Sequence, residues 1–170
     1  MIYMVEMALL DTARRAEWEA WYTAHQHRLL SIQGIHASQR FEALHPAESP
    51  FVALHEVDSP DVFVGPAYRA QAGPTNTGEW QTRMNNWHRN VFDGAHTPDV
   101  STDARLLVIE DGATGLPDSV PVTWMKAVGL DQTVPRRGLA VLPTDAAHRF
   151  IGTPRVRVLR PLGPRLRRAR

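Results

Sequence analysis

The sequence predicts an α+β fold built on a ferredoxin-like βαββαβ sheet with its helices on one face, and three observations predict it. Residues 2–9, 35–44, 51–57 and 105–111 are short β-rich apolar runs bounded by caps, glycine or proline. Trp18, Trp21, Tyr22, His25, Leu29 and Ile32 recur at three, four and seven residues, the signature of an amphipathic helix. The turn HPAESP at 45–50 joins the second and third runs as a hairpin. Two α–β units in this order fold as an antiparallel four-stranded sheet.

The first strand ends where Asp11 and Thr12 offer caps, and the helix then runs from about 13 to 32 until Gly34 stops it. In the next strand Ile35, Ala37, Phe41 and Ala43 share one face, and His36, Ser38, Arg40 and Glu42 share the other. After the hairpin, Ser59 and Pro60 open a short helix that Gly65 and Pro66 interrupt, and GPTNTG at 73–78 is a loop. A longer helix is expected from Asn76 to Gly94. Glu79 completes its capping box, and Trp80, Met84, Trp87 and Val91 follow at helical spacing. A strand at 105–111 closes the unit. One face of such a sheet is bare, so either a partner or the rest of the chain must cover it. Residues 1–112 form the expected α+β domain. Residues 113–170, with the strand-like pieces VTWMKAVGL, RGLAVLP and RVRVLRPL, form a β-rich extension, either a degenerate second half or a dimer arm.

Composition removes several chemistries. No cysteine is present, which excludes disulfides, thiolate nucleophiles and zinc ribbons. No apolar run approaches a membrane span, and the start lacks the basic region and cleavage site of a secretory signal, so the expected location is cytoplasmic with no membrane partner. The last eleven residues hold five arginines against a chain total of +1, which leaves −4 on the residues before Arg160. No aromatic residue is interleaved with them, so the tail reads as a solvated terminus and no nucleic-acid partner is expected. Gly-rich phosphate loops, a Gly-x-Ser-x-Gly elbow and HExxH spacing are all missing, so no nucleotide cofactor and no metal is expected.

Trp21, His25 four residues later, Gly34 nine after that, and Arg40 beyond resemble the helix-to-strand signature of EthD-type proteins of the dimeric α/β-barrel superfamily, over about the first 110 residues. Gln33 and Ala20 stand where that family usually has proline and an aromatic residue. The resemblance implies a barrel formed by a homodimer. It also implies a small-molecule site of the kind found in cofactor-independent oxygenases, polyketide cyclases and lactone isomerases.

His25, on the apolar stripe, is the first candidate for proton transfer, with structural packing as its alternative. His55, on a strand face shared with Phe51 and Ala53, is the second. Arg40 is a candidate to hold an anionic oxygen, if its sheet face lines a cavity and not solvent. Trp80 and Trp87 offer an apolar wall or core packing, Arg83 and Asn90 offer polar groups at its rim, and Tyr68 offers a cover within a lid at 64–78. The expected activity is acid/base catalysis of an isomerase, cyclase or lyase step on an aromatic, polyketide-like or lactone substrate. A cofactor-independent monooxygenase of a quinol-like aromatic, and a non-catalytic ligand-binding or stress-response module, are the alternatives.

Overall fold

The computed structural model describes residues 1–169; Arg170, the last arginine of the basic tail, lies outside the described residues. Nine strands are present: β1 (Ile2–Leu9), β2 (Ile35–Ala43), β3 (Phe51–Val57), β4 (Met84–Asp93), β5 (Ala104–Glu110), β6 (Thr123–Leu130), β7 (Arg136–Pro143), β8 (Val156–Pro161) and β9 (Leu166–Arg167). Among the described residues three α-helices accompany them, α1 (Arg15–Ser31), α2 (Pro66–Gln71) and α3 (Thr144–His148), with short 3-10 turns between elements. The strands run side by side as β3-β1-β4-β6-β7-β5-β8-β2, and β2 returns to pair with β3. The result is a closed eight-stranded antiparallel barrel, and β9 is added at Ala37 and Ser38 of β2.

This corrects the expected ferredoxin-like sheet and its dimeric barrel. The inner face of the sheet is covered without a second chain, because β5 to β8 curl round and close the cylinder. The interior is filled by Ile2, Met4, Phe41, Leu54, Phe92, Leu106, Val108 and their neighbours, as the small bore of an eight-stranded barrel requires.

The expected helix from Asn76 to Gly94 is also corrected. Residues Gly78–Thr82 make one 3-10 turn, and from Met84 the chain is β4. The spacing of Trp80, Met84, Trp87 and Val91 satisfies a helix and misleads, for the inward set is His88, Asn90 and Phe92, alternating with Trp87, Arg89 and Val91. Asn85 and Asn86 are weak helix formers, and Asn86 takes a left-handed φ of 48°. Pairing along β1 from Ile2 to Leu9 then settles the strand, since that edge would otherwise carry unpaired backbone groups.

One end of the barrel holds charge. Glu6, buried on the inward face of β1, pairs with both Arg137 and Arg157, and Arg137 Nη2 also reaches Glu110 at 2.8 Å. Burial alone would raise the Glu6 carboxyl, yet the Arg157 and Arg137 guanidiniums hold it below the ordinary carboxylate range. Two arginines of the basic tail are paired: Arg165 with Glu56, and Arg167, whose guanidinium lies 3.4 Å from Asp99. Among the described residues no helix is long and apolar enough to cross a membrane.

Outside the barrel, α1 lies across β1, β2 and β3. Its buried side is Trp18, Tyr22, His25, Gln26, Leu29 and Leu30. Gly34 turns the chain into β2 at φ +88°, where a Cβ would stand 2.7 Å from Val62 Cγ2. Only glycine combines that backbone with that contact.

Candidate functional site

The site follows from strand alternation. On β1 the residues Tyr3, Val5 and Met7 point outward beneath α1, because Ile2, Met4 and Glu6 take the bore. Antiparallel register sets Tyr3 directly opposite His55 of β3. From above, α1 delivers Trp21, Tyr22, His25 and Leu29, and the segment around α2 delivers Tyr68, Ala72 and Thr77. Trp87 and Met84 of β4 complete the wall. These groups enclose a cavity of about 20 Å³, room for roughly one water.

Its aromatic contacts fix the two imidazoles. His25 stacks on Trp21 with ring centroids 5.2 Å apart and 13° between planes, and Tyr22 meets it edge-on at 5.8 Å. His55 stacks on Tyr3 at 5.2 Å. His55 is fully buried and His25 nearly so. Nδ1 of His25, both ring nitrogens of His55 and Nε1 of Trp87 are buried without a hydrogen-bond partner. Four unpartnered nitrogens around one small cavity are unusual, since buried polar groups normally find partners.

The electrostatics follow from burial. Loss of water lowers the His25 pKa to about 4, with the Arg28 and Arg40 charges acting the same way. Burial lowers His55 to about 3, with His25 and Arg40 as smaller contributors. Both rings are therefore neutral at pH 7, and the same burial makes each a weaker base than a free imidazole unless a negative charge develops beside it. Burial raises Tyr22 to about 12 against the opposing Arg40 charge, and it raises Tyr3 well above its usual value, with Tyr68 adding to the effect. Those hydroxyls stay protonated, as donors.

The structure brings together four of the eight residues singled out by sequence, His25, His55, Tyr68 and Trp87. Trp80 stands behind, its ring 6.2 Å from Trp21. Arg40 lies on the far side of Tyr22, its guanidinium 4.0 Å above that ring and 2.6 Å from Glu19. It lines a separate cavity of about 190 Å³ with Thr23, Gln26 and Leu162. Arg83 is turned to Asp11 and Glu79 at the surface. Asn90 faces the bore and is bonded to Thr133, whose backbone N–H donates to its Oδ1 at 2.9 Å. Sequence reasoning passed over Tyr3, Thr77 and Arg89. The signal for Tyr3 was its alternation with Val5 and Met7, which puts it on the β1 face that His55 borders. Among the described residues no group of three His, Asp or Glu side chains is placed to hold a metal ion.

No protein-family model matches this sequence, and no curated protein matches it. The chain is similar in structure to a crystal structure named as a "putative monooxygenase from Lactobacillus acidophilus NCFM", with a TM-score of 0.50 and 12% identity over 99% of this chain and 94% of that one. That likeness shows the fold. Membership of the EthD family is not shown by it.

Proposed function

We propose that this protein is a small-molecule enzyme whose cavity removes a proton from an aromatic or enolisable substrate without a nucleotide or flavin. The observation that carries this reading is the pair of neutral, unpartnered imidazoles, His25 and His55, facing one aromatic-walled cavity. A neutral base facing the cavity takes the proton as negative charge develops on the substrate beside it, and that charge offsets the cost of a buried imidazolium. Trp21, Trp87 and Tyr22 supply flat apolar walls for a planar ring.

Proton removal and return is an isomerase or cyclase step, which one base can carry out alone or two acid/base groups can share. His25 comes from the helix and His55 from the sheet below, so a substrate between them would have a base on each side. Entry requires the segment from Pro66 to Thr82 to swing outward, carrying Tyr68, Ala72 and Thr77, because the closed cavity is too small for a ring. A second reading is favoured by the structural neighbour's name: the deprotonated substrate reduces dioxygen in the same dry cavity.

The test uses 2-tetralone, an enolisable bicyclic aromatic ketone, in D2O. Wild-type protein is expected to accelerate deuterium wash-in beside the carbonyl, and His25→Asn and His55→Asn, folded by circular dichroism, to lose at least tenfold of that rate. Equal wash-in by wild type and the double variant would overturn the proposal. Oxygen uptake with a hydroquinone distinguishes the second reading.

A further inference from the structure

The floor of the cavity holds a second set of groups that proton removal alone does not use. The Tyr3 and Tyr68 hydroxyls face each other at 3.5 Å, both on buried side chains. A good O–H···O bond is about 2.7–2.8 Å long, so this contact is the outer limit of one. Buried tyrosine hydroxyls ordinarily close on a partner. Here the two stand apart by a distance at which a single oxygen can sit about 2.8 Å from both.

Arg89 stands behind them. Its charge is close enough to act on both the Tyr3 and Tyr68 hydroxyls, and its guanidinium pairs with Asp131 at 3.3 Å. An arginine donates only, so a positive group beside the two hydroxyls favours an oxygen that accepts from them and carries negative charge. The Tyr3 ring in turn lies against His55. A base and two hydroxyl donors therefore share one corner of the cavity.

We infer that Tyr3 and Tyr68, backed by Arg89, form a two-donor cradle for the oxygen that becomes negative when the substrate loses its proton, which makes phenols and enolisable ketones the substrate class. The inference rests on the proton-transfer reading above. In the step, a neutral imidazole lone pair takes the proton from a phenolic O–H or from the carbon beside a carbonyl. The electron pair left behind settles on the oxygen as phenolate or enolate, and the Tyr3 and Tyr68 O–H groups donate to it. Returning the proton from the imidazolium to oxygen or to another carbon restores both charges, so no oxidant or reductant is consumed. Donors preset where charge develops act most strongly in a site without water.

The test uses 4-nitrophenol, whose absorbance reports whether it is ionised. Bound to wild-type protein it is expected to ionise at lower pH than in solution. Tyr3→Phe and Tyr68→Phe preserve ring packing while removing a donor, and each is expected to move the bound midpoint upward by an equivalent of at least threefold in ionisation constant. Arg89→Met is expected to move it in the same direction with both hydroxyls intact. If 4-nitrophenol binds, and binding weakens in His25→Asn or His55→Asn, but the midpoint is unchanged in all three variants, the cradle is overturned and the proton-transfer reading stands. If the probe does not bind, or binds with no dependence on either histidine, both fall together.

Discussion

The His25 imidazole lies parallel to the Trp21 indole, 5.2 Å between centroids and 13° between planes. The stack holds the ring in one orientation while Nδ1 is left without a partner. Replacing Trp21 with Leu removes that constraint and one aromatic wall. The expected result is a tenfold or greater loss in turnover of an enolisable substrate with the fold retained, measured as kcat against KM beside circular dichroism.

Acid stability follows from the two lowered histidine pKa values. Unfolded imidazoles titrate near 6.5, whereas His25 and His55 hold out to about 4 and about 3 in the folded chain. Below pH 6.5 the unfolded state binds more protons, so stability is fully present above that pH and falls as pH drops toward 4 and 3. The loss is on the order of a few kcal/mol. Urea melts at pH 7 and pH 4.5 check it: His55→Asn is expected to reduce the difference between them.

At the barrel end Glu6 is the shared partner of Arg137 and Arg157. Glu6→Gln leaves two guanidiniums facing one neutral amide in a buried place. Breaking one member of a buried network costs about 3–5 kcal/mol, which for a chain of this length corresponds to a fall of roughly 10 °C in Tm. Differential scanning calorimetry reads it directly.

Arg40 belongs to packing around the site and not to its lining. Arg40→Met keeps the apolar stem but loses the guanidinium stacked on Tyr22 and Trp18 and the ion pair with Glu19. The expected cost is about 1–2 kcal/mol. Removing its charge also relieves part of the lowering at both histidines, so their NMR titration midpoints should rise. A loss of ligand affinity with no change in stability or midpoints would place Arg40 in contact with the ligand instead.

Gly34→Ala adds a methyl at φ +88° against Val62. A destabilisation of about 1–3 kcal/mol is expected. Because Val62 leads into the segment that covers the cavity, protection of the Tyr68 amide from hydrogen exchange should fall as well.

The helix carrying His25 was legible because its 3.6-residue stripe is long and bounded by Gly34. His55 was legible because Phe51 and Ala53 mark its strand face as apolar. What misled was β4. Trp80, Met84, Trp87 and Val91 fit a helix, and only the need to pair β1 along a second edge makes the segment a strand. Barrel closure was hidden for a related reason: β2 meets β8 through only Phe41, Glu42 and Ala43, a seam that no local pattern announces. Arg40 was placed on the correct strand face, opposite Phe41, yet which side of Tyr22 it occupies depends on how α1 crosses the sheet. That crossing is set by the packing of Trp18 and Tyr22, beyond the reach of spacing.

The central claim is that His25 and His55 accept a proton from a bound substrate. Histidine 1H–15N spectra at pH 7, recorded before and after adding 4-nitrophenol, test it most directly. The expected result is two neutral imidazoles in the free protein and the conversion of one to imidazolium on binding. Two rings that already titrate near 6.5, or that both stay neutral with the probe bound, would contradict it.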